Sequence, residues 1–176
     1  FCAAALFASA QHSATPDDEA LTPEQEVFLD RLEQMSYPEQ LQAMGVELTA
    51  GPMTAQLGNV AEIELPEDYH FIGSEGIGAF YVITENSLNG NEAGVVLSPE
   101  GWMLFFNFDA TGYVKDDEKD ALDSDDLLEA LTEGQERNNT ERRKRGWDEM
   151  HLRGWVQEPH YDENSHNLKW AFNISS

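Results

Sequence analysis

The sequence predicts an α+β fold: a mainly antiparallel sheet packed with two to three helices and cut short at its C-terminal end. Strand-like segments come in sequence-adjacent pairs. Helical patterns stand between those pairs, and short turn signals such as Ser98-Pro99-Glu100-Gly101 join the paired segments. The chain stops inside the alternating apolar segment "WAFNISS", so further sequence is expected after it.

Residues 1–10, "FCAAALFASA", are small, apolar and uncharged, and they end in Ala8-Ser9-Ala10, the small-x-small pattern read by signal peptidase. They read as the back half of a secretory signal lacking its basic start and Met. Cleavage before Gln11 would remove Cys2, the only cysteine, so no internal disulfide is available. Residues 11–21 are a polar linker.

Residues 22–45 form an N-terminal helical segment. Thr22 caps it, Pro23 takes the first helical position and Gln25 completes a capping box. Phe28, Leu32 and Met35 make its apolar stripe, Pro38 stops it, and Gly45 closes the short turn that follows.

Residues 46–176 read as one α+β core domain. In "NVAEIEL", Val60, Ala61, Ile63 and Leu65 alternate with acids as a half-exposed strand. Residues 74–85 predict a helix capped by Ser74, with Ile77, Phe80 and Tyr81 on one face, although two Gly in its first turns weaken the pattern. "GVVLS" and "GWMLFFNFD" form a hairpin. Its second strand is apolar from Trp102 through Phe106 and is expected to be central and covered on both sides. A helix runs from Ser124 or Asp125 to Arg145 and ends at Gly146, with acids at its start and Arg142, Arg143, Lys144 and Arg145 at its end, matching the helix dipole. "MHLRGWVQ" and "HNLKWAFNI" close the chain as a strand pair. Leu168, Trp170, Phe172 and Ile174 share one face, which places Trp170 in the core.

The bulk composition bounds function. With 176 residues and 40% apolar content the chain suits one packed globular domain. Thirty-four acids against ten bases give a formal charge of -24, which excludes general nucleic-acid binding because phosphates are repelled. An acidic surface suited to salty surroundings accounts for the charge. No apolar run is long enough to cross a membrane.

Three constellations could carry chemistry. The loop "PHYDENSH" offers His160, Asp162 and His166, but the two His are not at helical i, i+4 spacing and no Glu stands beside either as a base. It reads instead as a hairpin loop, in which Pro159 ends one strand, Asp162 and Asn164 bond turn backbone, and His166 opens the return strand. No metal is called. The acid-rich "KDDEKDALDSDD" contains Asp116 and Asp117; no Gly lies between Lys115 and Glu133, so the tight turn of an EF-hand loop is excluded. On the long helix, Leu127 and Leu131 continue at helical spacing to Asn138 and Arg142, so the inner face turns polar. A partly buried Arg142 calls for a carboxylate, from Asp116, Asp117 or Asp162. No phosphate-binding Gly-rich loop and no Gly-x-Ser-x-Gly elbow occurs, and no cofactor is called.

From about residue 50 to 174 the series "ELPEDYHFI", "GVVLSPEGWMLFF", "GYVKDDE", "LLEAL", "NNTERRKRGW", "RGWVQEPHYD" and "LKWAF" resembles a bacterial family of membrane-anchored proteins, domain of unknown function 2167. The resemblance implies an exported domain followed by further sequence and a C-terminal transmembrane anchor. It carries over no catalytic residue. Lys115, Trp155 and Tyr161 lie in its strongest motifs and, with Asn138 on the polar helix face, are the candidate binding residues.

Two functions are carried forward. The first is a non-catalytic, exported domain at the periplasmic face of the membrane in a Gram-negative-type bacterium, binding an unknown envelope protein or ligand and tethered by an anchor beyond this chain. The alternative is an envelope hydrolase using Asp116, Asp117, Arg142 and Asp162, with His160 as a further candidate.

Overall fold

The structure, a computed structural model, describes residues 22–112, 115, 117, 121–164 and 166–176; the expected signal and linker and the candidate Asp116 lie outside the described residues. The fold is α+β with antiparallel strand pairing throughout the described sheets. The chain divides into two compact units, the first ending at Ala110 and the second beginning at Thr111.

The first unit opens with helix α1 (Pro23–Glu33), and its start is the expected capping box: the Thr22 N–H donates to Gln25 Oε1 at 2.8 Å and the Gln25 N–H to Thr22 Oγ1 at 3.3 Å. Pro38 does more than stop α1. It sits in the first turn of a second helix, α2 (Tyr37–Ala43), where its missing N–H has no helical partner to lose. The Gln40 amide donates to the carbonyls of Leu32 and Met35 at 3.0 and 3.1 Å, closing the end of α1 onto α2.

Four strands make the main sheet, in the order β1 (Thr49–Ala50), β4 (His70–Ile72), β5 (Glu92–Leu97), β6 (Met103–Asn107). A separate hairpin pairs β2 (Met53–Leu57) with β3 (Ala61–Leu65), and helix α3 (Ser74–Ile83) follows β4. β5 is buried from Ala93 to Leu97, and its side chains split between two cores, by alternation from Gly94 to Leu97 and, at Ala93, by the irregularity between Glu92 and Gly94. Val95 and Leu97 pack with Leu41 of α2, Ile72, and Ile77, Phe80 and Tyr81 of α3. Ala93 and Val96 pack with Ala55, Leu57, Leu65 and Phe71 on the hairpin side.

Two glycines permit this layering. A Cβ on Gly76 would meet the Glu47 carbonyl oxygen at 2.0 Å, so the Gly that weakens the α3 pattern is there to bring the helix close. A Cβ on Gly94 would strike the Phe71 ring at 2.5 Å. The β5–β6 register shifts between Glu92 and Gly94, and the Ala93 carbonyl accepts the Gly58 N–H at 3.2 Å, tying the hairpin turn to the sheet. The N-cap of α3 is Gly73, with no side-chain bond, in place of the expected Ser74.

The expectation of a central, doubly covered second strand does not hold for β6. It is the outer strand, and Leu104 and Phe105 are 45% and 40% exposed. Both its faces do meet protein: the Phe105 ring lies 6.1 Å from those of Phe80 and Tyr81, and Phe106 packs on the hairpin-side core. The two layers are centred on β5, so β6 stands at their rim.

The second unit holds helix α4 (Ser124–Lys144) and a hairpin of β7 (His151–Asp162) and β8 (Asn167–Ser175). α4 begins at Ser124, one of the two expected starts, and Asp123 caps it by accepting the N–H groups of Asp125 and Asp126. The helix ends as expected at Gly146 (φ 74°), where the Trp147 N–H bonds back to the Arg142 carbonyl at 2.9 Å. Pro159 does not end its strand. β7 runs on to Asp162, tolerating a residue without an N–H because both hairpin strands are edges among the described residues. His166, at φ 53°, belongs to the turn, and the return strand begins at Asn167.

Trp170 is 41% exposed, which overturns its expected core position. Leu168, Trp170, Phe172 and Ile174 do share a face, but of the four only Phe172 is shielded enough to count as half-buried. Phe80→Ala, at a fully buried ring, is expected to cost about 3–5 kcal/mol, and Trp170→Ala about 1 kcal/mol or less, both read from denaturant unfolding.

Glu92 gives a pH prediction. Its carboxylate accepts the N–H groups of Asn89 and Gly90 at 2.6 and 2.9 Å, and these bonds, Asn89 first, hold its pKa below the ordinary carboxylate value. A carboxyl with a depressed folded-state pKa stabilises above its unfolded value and loses that contribution as pH falls through the folded one. Glu92→Gln should therefore flatten the fall in stability on acidification below the ordinary Glu range, measured by urea midpoints across an acid pH series.

Candidate functional site

On α4, spacing from Leu127 and Leu131 points to Asn138 and Arg142 as the inner polar residues. The structure keeps Arg142, 6% exposed, but replaces Asn138 with its neighbour Asn139, which is fully buried while Asn138 is exposed. Residues 139 and 142 are one helical turn apart and share a face. Sequence reasoning missed Asn139 because counting in fours from Leu131 through Gln135 reaches 139, whereas the path through Gly134 reaches 138.

Asn139 acts as a substitute strand. Its amide donates to the Met150 carbonyl at 2.8 Å and its carbonyl oxygen accepts the Met150 N–H at 2.9 Å, so the chain entering β7 finds both backbone partners on one side chain. Gln135 Nε2 adds a bond to the same Asn139 oxygen at 3.3 Å. Arg142 Nε donates to the Asp148 carbonyl, and its guanidinium carbon lies 5.5 Å from the centre of the Trp147 ring, with that of Arg145 at 4.8 Å.

Around this polar seam the charges pair locally. Arg143 reaches Glu149 at 2.6 Å and Lys144 reaches Glu141 at 2.6 Å, and each cation, chiefly through its hydrogen bond, lowers the carboxyl pKa of its partner.

The remaining candidates fall as follows. Lys115 and Asp117 are exposed. Trp155 is half-buried, donates its indole N–H to the Ser124 carbonyl at 3.2 Å and sets its ring 6.2 Å from Phe172, which holds the start of α4 against the hairpin. His160 is exposed on β7. Tyr161 places its hydroxyl 2.9 Å from His166 Nδ1. Asp162 accepts the Asn164 N–H at 3.0 Å, as a turn carboxylate should, and also meets Lys169 at 3.2 Å. The structure thus brings Arg142 to the helix end and Asp162, Tyr161 and His166 to the hairpin turn. Among the described residues no group of three or more His, Cys, Asp and Glu could hold a metal ion.

The first unit carries concavities that sequence reasoning did not single out. One, of about 570 Å³, is bordered by Asp68 and His70; the other, of about 500 Å³, lies beside Glu47 and Glu75. The first draws Pro38 from the start of α2, Asp68 from the loop before β4 and Pro99 from the turn before β6, segments far apart in sequence.

Asn139→Ala should lower the unfolding free energy by about 1–3 kcal/mol, because it leaves the Met150 N–H and carbonyl without their partners. Asn138→Ala, one residue away and exposed, should leave it unchanged in the same denaturant titration.

No curated protein and no solved structure matches this chain. Among the described residues no helix is long and apolar enough to cross a membrane. The family model described as Protein of unknown function (DUF2167) matches residues 49–176, most of the chain, which carries both the main sheet and the helix–hairpin unit, and the chain belongs to that family.

Proposed function

We propose that this chain is an exported domain of the bacterial envelope that acts by binding or assembly, held at the periplasmic face of the membrane by an anchor outside the sequence given. The observation that carries the binding reading is the large apolar side chains left on strand faces of an otherwise acidic protein. Leu104 stands out on β6, and Leu168, Trp170 and Ile174 stand out together on one face of β8. Exposed apolar groups of this size on neighbouring strand positions are the usual material of protein interaction surfaces. The hydrolase alternative draws less support, because Asp162 is engaged within its own turn and His160 stands exposed on the strand. Export rests on "FCAAALFASA" and the anchor on the family resemblance.

Expressed in a Gram-negative host with a restored start, the mature protein should be recovered from the periplasm with Gln11 as its first residue, as read by N-terminal sequencing. Cytoplasmic retention with residues 1–10 intact would remove the export half of the proposal.

A further inference from the structure

We infer that the cleft of about 570 Å³ in the first unit binds a cationic group carried on an apolar stem, an alkylammonium or guanidinium. This rests on the binding reading above and names one site and its ligand chemistry. The volume lies in the range of small-ligand pockets, roughly 300–1,000 Å³. Its walls are apolar and stiff: Pro38 and Pro99 frame it, and Leu97 and Met103 stand in register with His70 across three neighbouring strands. Proline rings have no rotamer freedom to lose when a ligand settles against them.

The polar groups fix the sign of the ligand. Among the described residues that line the cleft, Asp68, itself exposed, is the only carboxylate and none is Lys or Arg. Among the described residues the Asp68 side chain makes no hydrogen bond or ion pair, whereas Glu39 and Glu100, beside the lining prolines in sequence, are engaged. Glu39 is bonded by the backbone and hydroxyl of Ser36 at 2.8 and 2.6 Å, and Glu100 accepts the Trp102 indole N–H at 3.2 Å. The Ser36 bonds, side chain first, hold the Glu39 carboxyl below the usual Glu range. An anion in the cleft would meet the Asp68 carboxylate and the field of a chain of formal charge -24, while a cation is drawn to them. An ammonium or guanidinium can pair with Asp68 while its methylenes lie along Leu97 and Met103, as long basic side chains do on apolar surface.

Such a cation could be a lysine or arginine side chain of a protein or a free amine, and the experiment separates the two. N-acetyl-lysine methylamide and the peptide Gly-Phe-Lys-Phe-Gly are titrated into the full chain at physiological ionic strength, each beside its glutamate counterpart, while the His70 ring protons are followed by NMR. Saturable shifts with the lysine probes and none with the glutamate probes are expected. Binding of the peptide alone assigns a protein source, and equal binding of the free amide assigns a small cation. Asp68→Asn should weaken lysine-probe binding at least about tenfold, the loss of one charge-assisted hydrogen bond. Asn accepts the φ of 69° at that position, so the fold should survive. Asp126→Asn, an exposed acid on α4, should leave binding unchanged, and Met103→Trp, which crowds the cleft without altering charge, should abolish it. Equal shifts by the glutamate probes, no saturable shift by either lysine probe, or wild-type binding by Asp68→Asn and Met103→Trp would overturn the inference. None of these outcomes depends on where the protein is exported.

Discussion

The first unit is organised by the requirement that β5 be dry on both faces. A strand that alternates its side chains between two apolar layers needs a layer on each side. Here α2 and α3 supply one and the β2–β3 hairpin the other. Other features follow from that demand. Gly94 has no side chain because the Phe71 ring must lie over it, and Gly76 has none because α3 must approach Glu47 closely. The irregularity at Ala93 turns a carbonyl out of the ladder, and the hairpin turn uses it.

The second unit meets the same problem with different chemistry. Its two buried polar residues, Asn139 and Arg142, fasten the last turns of α4 to the backbone of residues 148–150, and Trp155 fastens the first turn through Ser124. Directional bonds to backbone replace interdigitated apolar side chains. Such bonds fix position sharply, yet each is costly to leave half made. A helix whose charges already suit its own dipole needs few contacts to be held, and this one is held at both ends.

What could be read from the sequence was local. The capping box of α1, the Gly146 stop of α4 and the turn role of Asp162 each depend on residues within a few positions of one another, and each appeared as expected. What failed was long-range. The apolar run in β6 looks the same whether a strand is central or at a rim, because composition records that apolar contacts exist and not how many layers supply them. Trp170 misled for the same reason: alternation gives a face, and only tertiary structure says what covers it. Asn138 and Asn139 are adjacent identical residues, so a helical path with one ambiguous step cannot choose between them. The cleft beside Asp68 was hidden because its walls come from a helix start, three strands and the loops beside them, far apart in sequence. The fold class was thus largely legible, and the candidate site much less so.

Pro159 has a consequence for the solubility of the second unit. Among the described residues β7 and β8 are long strands with unpaired outer sides and exposed apolar residues, the combination that recruits further strands into growing sheets. Pro159 leaves a gap in the row of N–H donors that an incoming strand would need. Three register shifts between Leu152 and His160 prevent the pair from presenting a flat, evenly spaced edge. The hairpin can therefore leave Trp170 and Ile174 exposed while offering a poor template for copies of itself, which separates exposure of apolar side chains from aggregation through backbone.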